Sequence, residues 1–239
     1  MNTDFLTNDD VRNLALQRTR SLALFPLPKP FSPSYTVWYK LGSDLLLNLE
    51  AKVRREAIIK FSIEEIRAEF ENIAKFVDIR QPLKLMDIGC GLSIIDILFA
   101  ERFPVERILL VDIEENERKH HGFDVEGAAY NSLDKAKRLV TDNVSSETLV
   151  EAVNPKKRPL TSEAFGKYNL IISIISCGFH YPASLYLDVF TTMLEDDGSL
   201  ILDLRRGENH ADLLERFEIV SEIEQTDAYT RVVLKKQLG

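Results

Sequence analysis

The chain has 239 residues, 45% hydrophobic and 28% charged, with 30 Lys+Arg against 38 Asp+Glu for a formal charge of −8. That size suits one α/β domain with an appendage, able to bury its core without disulfides or metal staples. The acidic balance argues against a long phosphate-backbone footprint, so nucleic acid is excluded and a small-molecule partner expected; Lys156-Lys157-Arg158 reads as a solvated loop.

Cys90 and Cys177 are the only cysteines, too few for a disulfide framework or a thiolate zinc site, and both are expected reduced, as in a cytoplasmic protein. The stretch from Met1 to Asp10 lacks the basic start and apolar core of a signal peptide, and no apolar run is long enough to cross a bilayer. A soluble protein with no membrane partner follows.

Residues 1 to about 40 interleave Pro26, Pro28, Pro30 and Pro33 with Phe25, Phe31, Tyr35, Trp38 and Tyr39, which predicts an irregular arm. Its part from Pro28 to Tyr39 either closes over a site as a lid or packs on a flank. A helix is predicted from about Ser43 to Lys60. A second opens at Ser62-Ile-Glu-Glu65, read as a capping box, and carries Ile63, Ile66, Phe70, Ile73 and Val77 as one buried stripe.

From residue 83 short apolar runs alternate with helices, the pattern of repeated βαβ units. Strands are predicted at Leu83–Ile88, Arg107–Asp112, Tyr168–Ser176 and Ser199–Leu204, the third fully buried. Helices fall at Ile94–Ala100, at Ser132–Thr141 and after Pro182, the last with Leu185, Tyr186, Val189, Phe190, Met193 and Leu194 on its apolar face and ended by Asp197-Gly198. Thr148–Val153 reads as either a strand or a short helix, and we take it as the missing third strand. Phe217 to Lys236 forms a closing hairpin around Gln225 to Ala228.

The chemistry concentrates where the first strand ends. Asp87-Ile-Gly89-Cys-Gly91-Leu-Ser93 sets an acid, then two glycines that permit a sharp turn and a close ligand, then a helix. Asp112 ends the second strand at the spacing where an acid accepts hydrogen bonds from both hydroxyls of an adenosine ribose.

This combination resembles the class I (Rossmann-like) S-adenosylmethionine-dependent methyltransferases: Asp87-x-Gly89-x-Gly91-x-Ser93 matches their first motif and Asp112 their ribose-binding acid, over roughly residues 80 to 236. The resemblance implies an α/β fold: a Rossmann-like, seven-stranded, mostly parallel sheet with helices on both faces, a C-terminal antiparallel hairpin and an N-terminal helical extension. Residues 1–80 would be the arm and helices, and 81–239 the methyltransferase domain. It implies S-adenosylmethionine as cofactor, bound by Asp87, Gly89, Cys90, Gly91, Ser93, Asp112, Ile113 and Ser176. A nicotinamide dinucleotide wants a third glycine where this chain has Ile94, so an NAD-dependent oxidoreductase is the rival reading; a methyltransferase-like protein that binds without transferring is the other.

In that family the segment after the fourth strand faces the departing methyl group. Here it is Ser176-Cys-Gly-Phe-His-Tyr-Pro182, which departs from the Asn/Asp-Pro-Pro-aromatic pattern of the amino-methylating branch. His180 is the candidate catalytic base for a hydroxylated metabolite such as a sugar, or else a loop-positioning residue. Tyr181, Arg205 and Arg206 are candidate acceptor contacts, with Phe179 assigned to the core and a surface pair with Glu208 the alternative for the arginines. No metal site is expected: His120-His121 are adjacent and read as exposed, and Asp142-Asn143 lies away from a core strand end.

Overall fold

The computed structural model describes residues 1–24, 43–77, 81–113 and 132–237. The arm from Pro28 to Tyr39 and the pair His120-His121 lie outside the described residues. The chain divides into two compact units, residues 2–69 and 70–239.

The first unit is more helical than the sequence suggests. Helix α1 (Asn8–Gln17) stands where an irregular arm is expected. Thr7 caps it: its side chain accepts from the Asp10 amide, and an Asp10 carboxylate oxygen accepts from the Thr7 amide at 2.6 Å. Val11, Leu14 and Ala15 then form its buried face.

Helices α2 (Ser43–Val53) and α3 (Arg55–Ile73) are separated by one residue. Glu50 is fully buried and accepts from the Ala23 amide at 2.6 Å and the Arg54 guanidinium at 2.7 Å, while Arg18 grips Glu69 through two bonds of 2.9 and 2.8 Å. Helix α3 runs straight through Ser62, which corrects the capping box. Ser62 is buried within an apolar stripe of Ile58, Ile59, Ile66, Phe70 and Ile73, so the burial pattern extends the helix backward past the apparent start signal. Ile63 and Val77 are only partly buried.

In the second unit, a seven-stranded sheet runs in the order β3-β2-β1-β4-β5-β7-β6. The strands are β1 (Leu83–Ile88), β2 (Val105–Val111), β3 (Leu149–Val153), β4 (Tyr168–Ser173), β5 (Leu194–Arg205), β6 (Phe217–Gln225) and β7 (Tyr229–Lys236). All neighbouring pairs are parallel except β5 with β7 and β6 with β7, so the last two strands make the antiparallel hairpin. The apolar runs of β1, β2, β4 and β5 are buried because helices cover both faces of a parallel sheet.

The strand order reverses between β1 and β4. With right-handed crossovers, α4 (Ile94–Arg102) and α5 (Leu133–Thr141) therefore lie on one face and α7 (Leu187–Met193) on the other; the short α6 (Ser162–Phe165) joins β3 to β4. Phe70 and Phe99, both in this unit, meet edge to face at 5.0 Å. Such a reversal opens a crevice at the carboxyl ends of the two strands.

Three boundaries differ from the sequence reading. α7 ends at Met193, and β5 starts at Leu194, which pairs with Tyr168; Asp197-Gly198 lies inside β5, at a shift of register before Ser199 pairs with Leu170. Pro182 heads a short 3₁₀ turn, Ala183–Tyr186, which leaves Leu185 exposed rather than on the apolar face. β4 stops at Ser173 because Ile175 turns into the left-handed region, φ 51°. Among the described residues, no helix is long and apolar enough to cross a membrane.

Candidate functional site

The loop after β1 is built from three left-handed residues: Gly89 (φ 77°), Gly91 (φ 56°) and Ser93 (φ 59°). Two of the three are glycine, which accepts this conformation without penalty; Ser93 tolerates it at a cost, one residue before α4 begins. Gly89 and Cys90 both donate their amides to the Val111 carbonyl, at 2.7 and 3.2 Å, so the loop is hung from the end of β2.

Gly89 cannot carry a side chain. A Cβ there would lie 1.8 Å from the Ser176 hydroxyl oxygen and 2.5 Å from its Cβ, which shows how closely the loops after β1 and β4 approach.

Asp112 follows β2 directly. One of its oxygens accepts from the Gly91 amide at 2.9 Å and the other from the Ile113 amide at 2.7 Å. These bonds lock the carboxylate in one orientation and join it to the glycine loop, so Gly89, Cys90, Gly91, Asp112, Ile113 and Ser176 form one continuous rim, with Asp87 and Ser93 buried beneath it.

Behind that rim sits an acid pair, of which the sequence reading named Asp87 and missed Asp96. Asp87 is buried and Asp96, at the start of α4, is fully buried. Burial, then the neighbouring Asp96 and Asp112 charges, raises the Asp87 carboxyl well above the usual range; burial pushes Asp96 up to about 7. The two buried carboxyls interact directly, with Ser93 beside Asp96, so their protons leave in steps that belong to the pair. A lone acid in Ile94-Ile-Asp-Ile-Leu-Phe99 was the available signal. Burial and the nearby acids likewise hold the Cys90 thiol protonated.

The turn after β4 is tightly hydrogen-bonded. The Ser176 carbonyl accepts from the Phe179 amide at 3.0 Å and the His180 amide at 2.7 Å, and Gly178 donates to the Tyr181 carbonyl at 2.8 Å. His180 is half-buried, its ring edge to face with Phe179 at 4.9 Å. Phe179 is also only half-buried: it stacks edge-on with Tyr229 at 5.7 Å, and Arg205 lies over it at 5.2 Å while donating to its carbonyl at 3.4 Å.

Tyr181 brings its hydroxyl to the junction of the two loops, 3.7 Å from where a Gly89 Cβ would lie. It is buried in the main core cluster, with its hydroxyl 2.9 Å from the Ser176 hydroxyl, and burial keeps the phenol protonated. Arg206 is exposed and donates to the Thr226 carbonyl at 3.1 Å, on the hairpin turn. The structure thus gathers Phe179, His180 and Arg205 at one corner, joins Tyr181 to Ser176 beside Gly89, and carries Arg206 to the hairpin turn. Asp142 and Asn143 close the end of α5, the first pairing with Arg138 at 3.4 Å and the second donating to the Leu139 carbonyl at 2.8 Å.

Ile175 is the strained point of this turn, a β-branched residue in a region that costs on the order of 1–3 kcal/mol. Its amide donates to Asp203 at 2.8 Å, and Asp203 is held by Arg231 through bonds of 2.6 and 2.8 Å, with neither side chain exposed.

No protein-family model matches the chain, and no curated protein matches it. Solved structures do resemble it. The Bacillus subtilis M1A22 tRNA methyltransferase TrmK shares 16% identity at TM-score 0.48, over 70% of this chain and 65% of that one, so this chain spans just under two thirds of its length. Sp1610 of Streptococcus pneumoniae, a candidate tRNA (m1A22) methyltransferase solved with S-adenosyl-L-methionine, shares 18% at TM-score 0.45, over 72% of this chain and 75% of that one. The PH0226 protein of Pyrococcus horikoshii shares 15% at TM-score 0.49, over 72% and 92%.

The strand order and closing hairpin are those of the Rossmann-like fold of class I S-adenosylmethionine-dependent methyltransferases. One expectation is corrected. The exclusion of nucleic acid does not stand, since structures similar to this one include tRNA methyltransferases. Net charge sums the whole surface, whereas a local field decides contact with phosphate.

Proposed function

We propose that this chain binds S-adenosylmethionine at the carboxyl edge of β1 and β2 and transfers its methyl group to an acceptor presented by the turn after β4. The observation that carries this reading is the joint between Gly91 and Asp112: the loop that must turn beneath the cofactor is hydrogen-bonded to the acid that must hold its ribose. The residues fit such a ligand. The left-handed loop exposes backbone where a nucleoside can lie, and the orientation of Asp112 is fixed in advance of binding, so little ordering cost falls on association.

Bound there, the cofactor supplies an electrophilic methyl on a sulfonium centre. Asp112 would accept from the ribose hydroxyls, and Ser176, held against Gly89, would border the methyl end. His180 stands on the same turn and would take the proton of a hydroxyl acceptor as its oxygen attacks, while Arg205 keeps Phe179 beside it. O-methylation is the reaction this base serves. An NAD-dependent reaction is disfavoured by Ile94, buried at the position where a dinucleotide loop needs its third glycine.

Calorimetry with S-adenosylmethionine, S-adenosylhomocysteine and NAD tests the cofactor. We expect the first two to bind and Asp112→Ala to weaken them by about tenfold to a hundredfold, the effect of losing hydrogen bonds to a charged group. Absence of binding by either would remove the reading. Methyl transfer from labelled cofactor to a panel of hydroxylated metabolites and to bulk tRNA then separates acceptor classes, and labelling of neither leaves a binding protein without transfer.

A further inference from the structure

Among the described residues, the most deeply buried ion pair lies outside every role assigned so far. Arg231 and Asp203 are both fully buried and joined through two bonds of 2.6 and 2.8 Å across the β5–β7 pairing, where their positions are register partners. Arg231 also reaches Glu224 at 3.5 Å and lies 5.4 Å from the Tyr229 ring. A buried pair of this kind adds little net stability over apolar residues of similar size, so its retention calls for another explanation.

Asp203 supplies one. The oxygen that accepts from Arg231 at 2.8 Å also accepts the Ile175 amide at 2.8 Å, and Ile175 is one of two non-glycine residues among the described ones with positive φ. The same strand segment fixes the rest of the turn. Arg205 donates its amide to the Gly178 carbonyl at 3.0 Å, and a Cβ on Gly178 would meet the Asp203 carbonyl oxygen at 2.9 Å. The next residue, Ser176, is the one pressed against Gly89.

We infer that the buried Asp203–Arg231 pair is a clamp that holds the turn after β4 in its strained shape, making Asp203 a positioning residue for a ligand that rests on the rim where Gly89 and Ser176 meet. Arg231 orients the carboxylate, the carboxylate captures the Ile175 amide, and the captured amide sets Ser176. Without the clamp Ile175 relaxes to negative φ and Ser176 leaves its place. The link to ligand binding rests on the cofactor proposal above; the clamp itself does not.

Removing one partner alone strands a buried charge and threatens folding, so the test removes both, as Asp203→Leu with Arg231→Met. Ile175→Gly is made in the wild type and in that double variant, because glycine adopts the left-handed region without a clamp. Two readouts are taken: melting temperature, and affinity for S-adenosylhomocysteine measured well below it.

We expect the double variant to fold and to bind S-adenosylhomocysteine at least tenfold more weakly, and the added glycine to recover most of that loss. The change in melting temperature on Ile175→Gly should also be more favourable in the double variant than in the wild type. Wild-type affinity in the double variant, or no recovery by glycine, overturns the positioning role. Equal effects of glycine on melting in both backgrounds overturn the clamp. If the wild type binds no S-adenosylhomocysteine, the cofactor reading fails, and the melting comparison still decides the clamp.

Discussion

A single methyl group separates Gly89 from alanine, yet at this position it collides with the Ser176 side chain at 1.8 Å and forces a residue with φ 77° to carry a Cβ. Both penalties fall on the same turn. Gly89→Ala should lower stability by roughly 2–4 kcal/mol, the sum of overpacking and left-handed strain, and abolish detectable cofactor binding. Denaturant unfolding and calorimetry check the two parts. His180 makes a different demand, because its backbone is bonded into the turn while its half-buried ring stacks on Phe179. His180→Ala should leave cofactor affinity within about twofold and reduce transfer by at least about tenfold, the low end for a general base; unchanged turnover would remove that assignment.

Among the elements, α3 gives the sharpest reversal of sign. As the cap of a helix, Ser62 would lose about 1 kcal/mol on replacement by alanine. In the structure it is an interior helical residue with a buried hydroxyl that has no hydrogen-bond partner among the described residues. Ser62→Ala should therefore stabilise the protein by about 1 kcal/mol, combining better helix propensity with relief of an unsatisfied polar group; a lower melting temperature would restore the capping role. The turn after β4 shows the converse. Its sequence, Ser173-Ile-Ile-Ser176, reads as a continuing strand, and the break at Ile175 comes from a hydrogen bond to β5 and not from any local turn residue.

For the molecule as a whole, the acid pair Asp87–Asp96 ties stability to pH. Both carboxyls titrate higher in the folded protein than in an unfolded chain, where Asp sits near 3.8. Their contribution is fully present below about pH 4 and is lost as pH rises through about 7, when a second buried negative charge must form. Asp96→Asn keeps the volume and removes that charge, so its melting temperature relative to wild type should climb between pH 5 and pH 8. A constant difference across that range would show that the pair does not share a proton. Much of this architecture was legible in the chain. Apolar runs at strand length, the helical spacing of Leu133, Ala136, Leu139 and Val140, and the Asp87-to-Ser93 loop each depend on neighbours in sequence, and local propensity and periodicity are written there. Asp203 finds both Ile175 and Arg231 at 28 residues' distance and Arg206 reaches the hairpin 20 residues on, while the Ser62 hydroxyl meets no hydrogen-bond partner among the described residues. Residue order alone determined the sheet, its covering helices and the glycine loop after β1; only tertiary packing decided which polar groups were buried together, because burial is set by segments that meet in space without being adjacent in sequence.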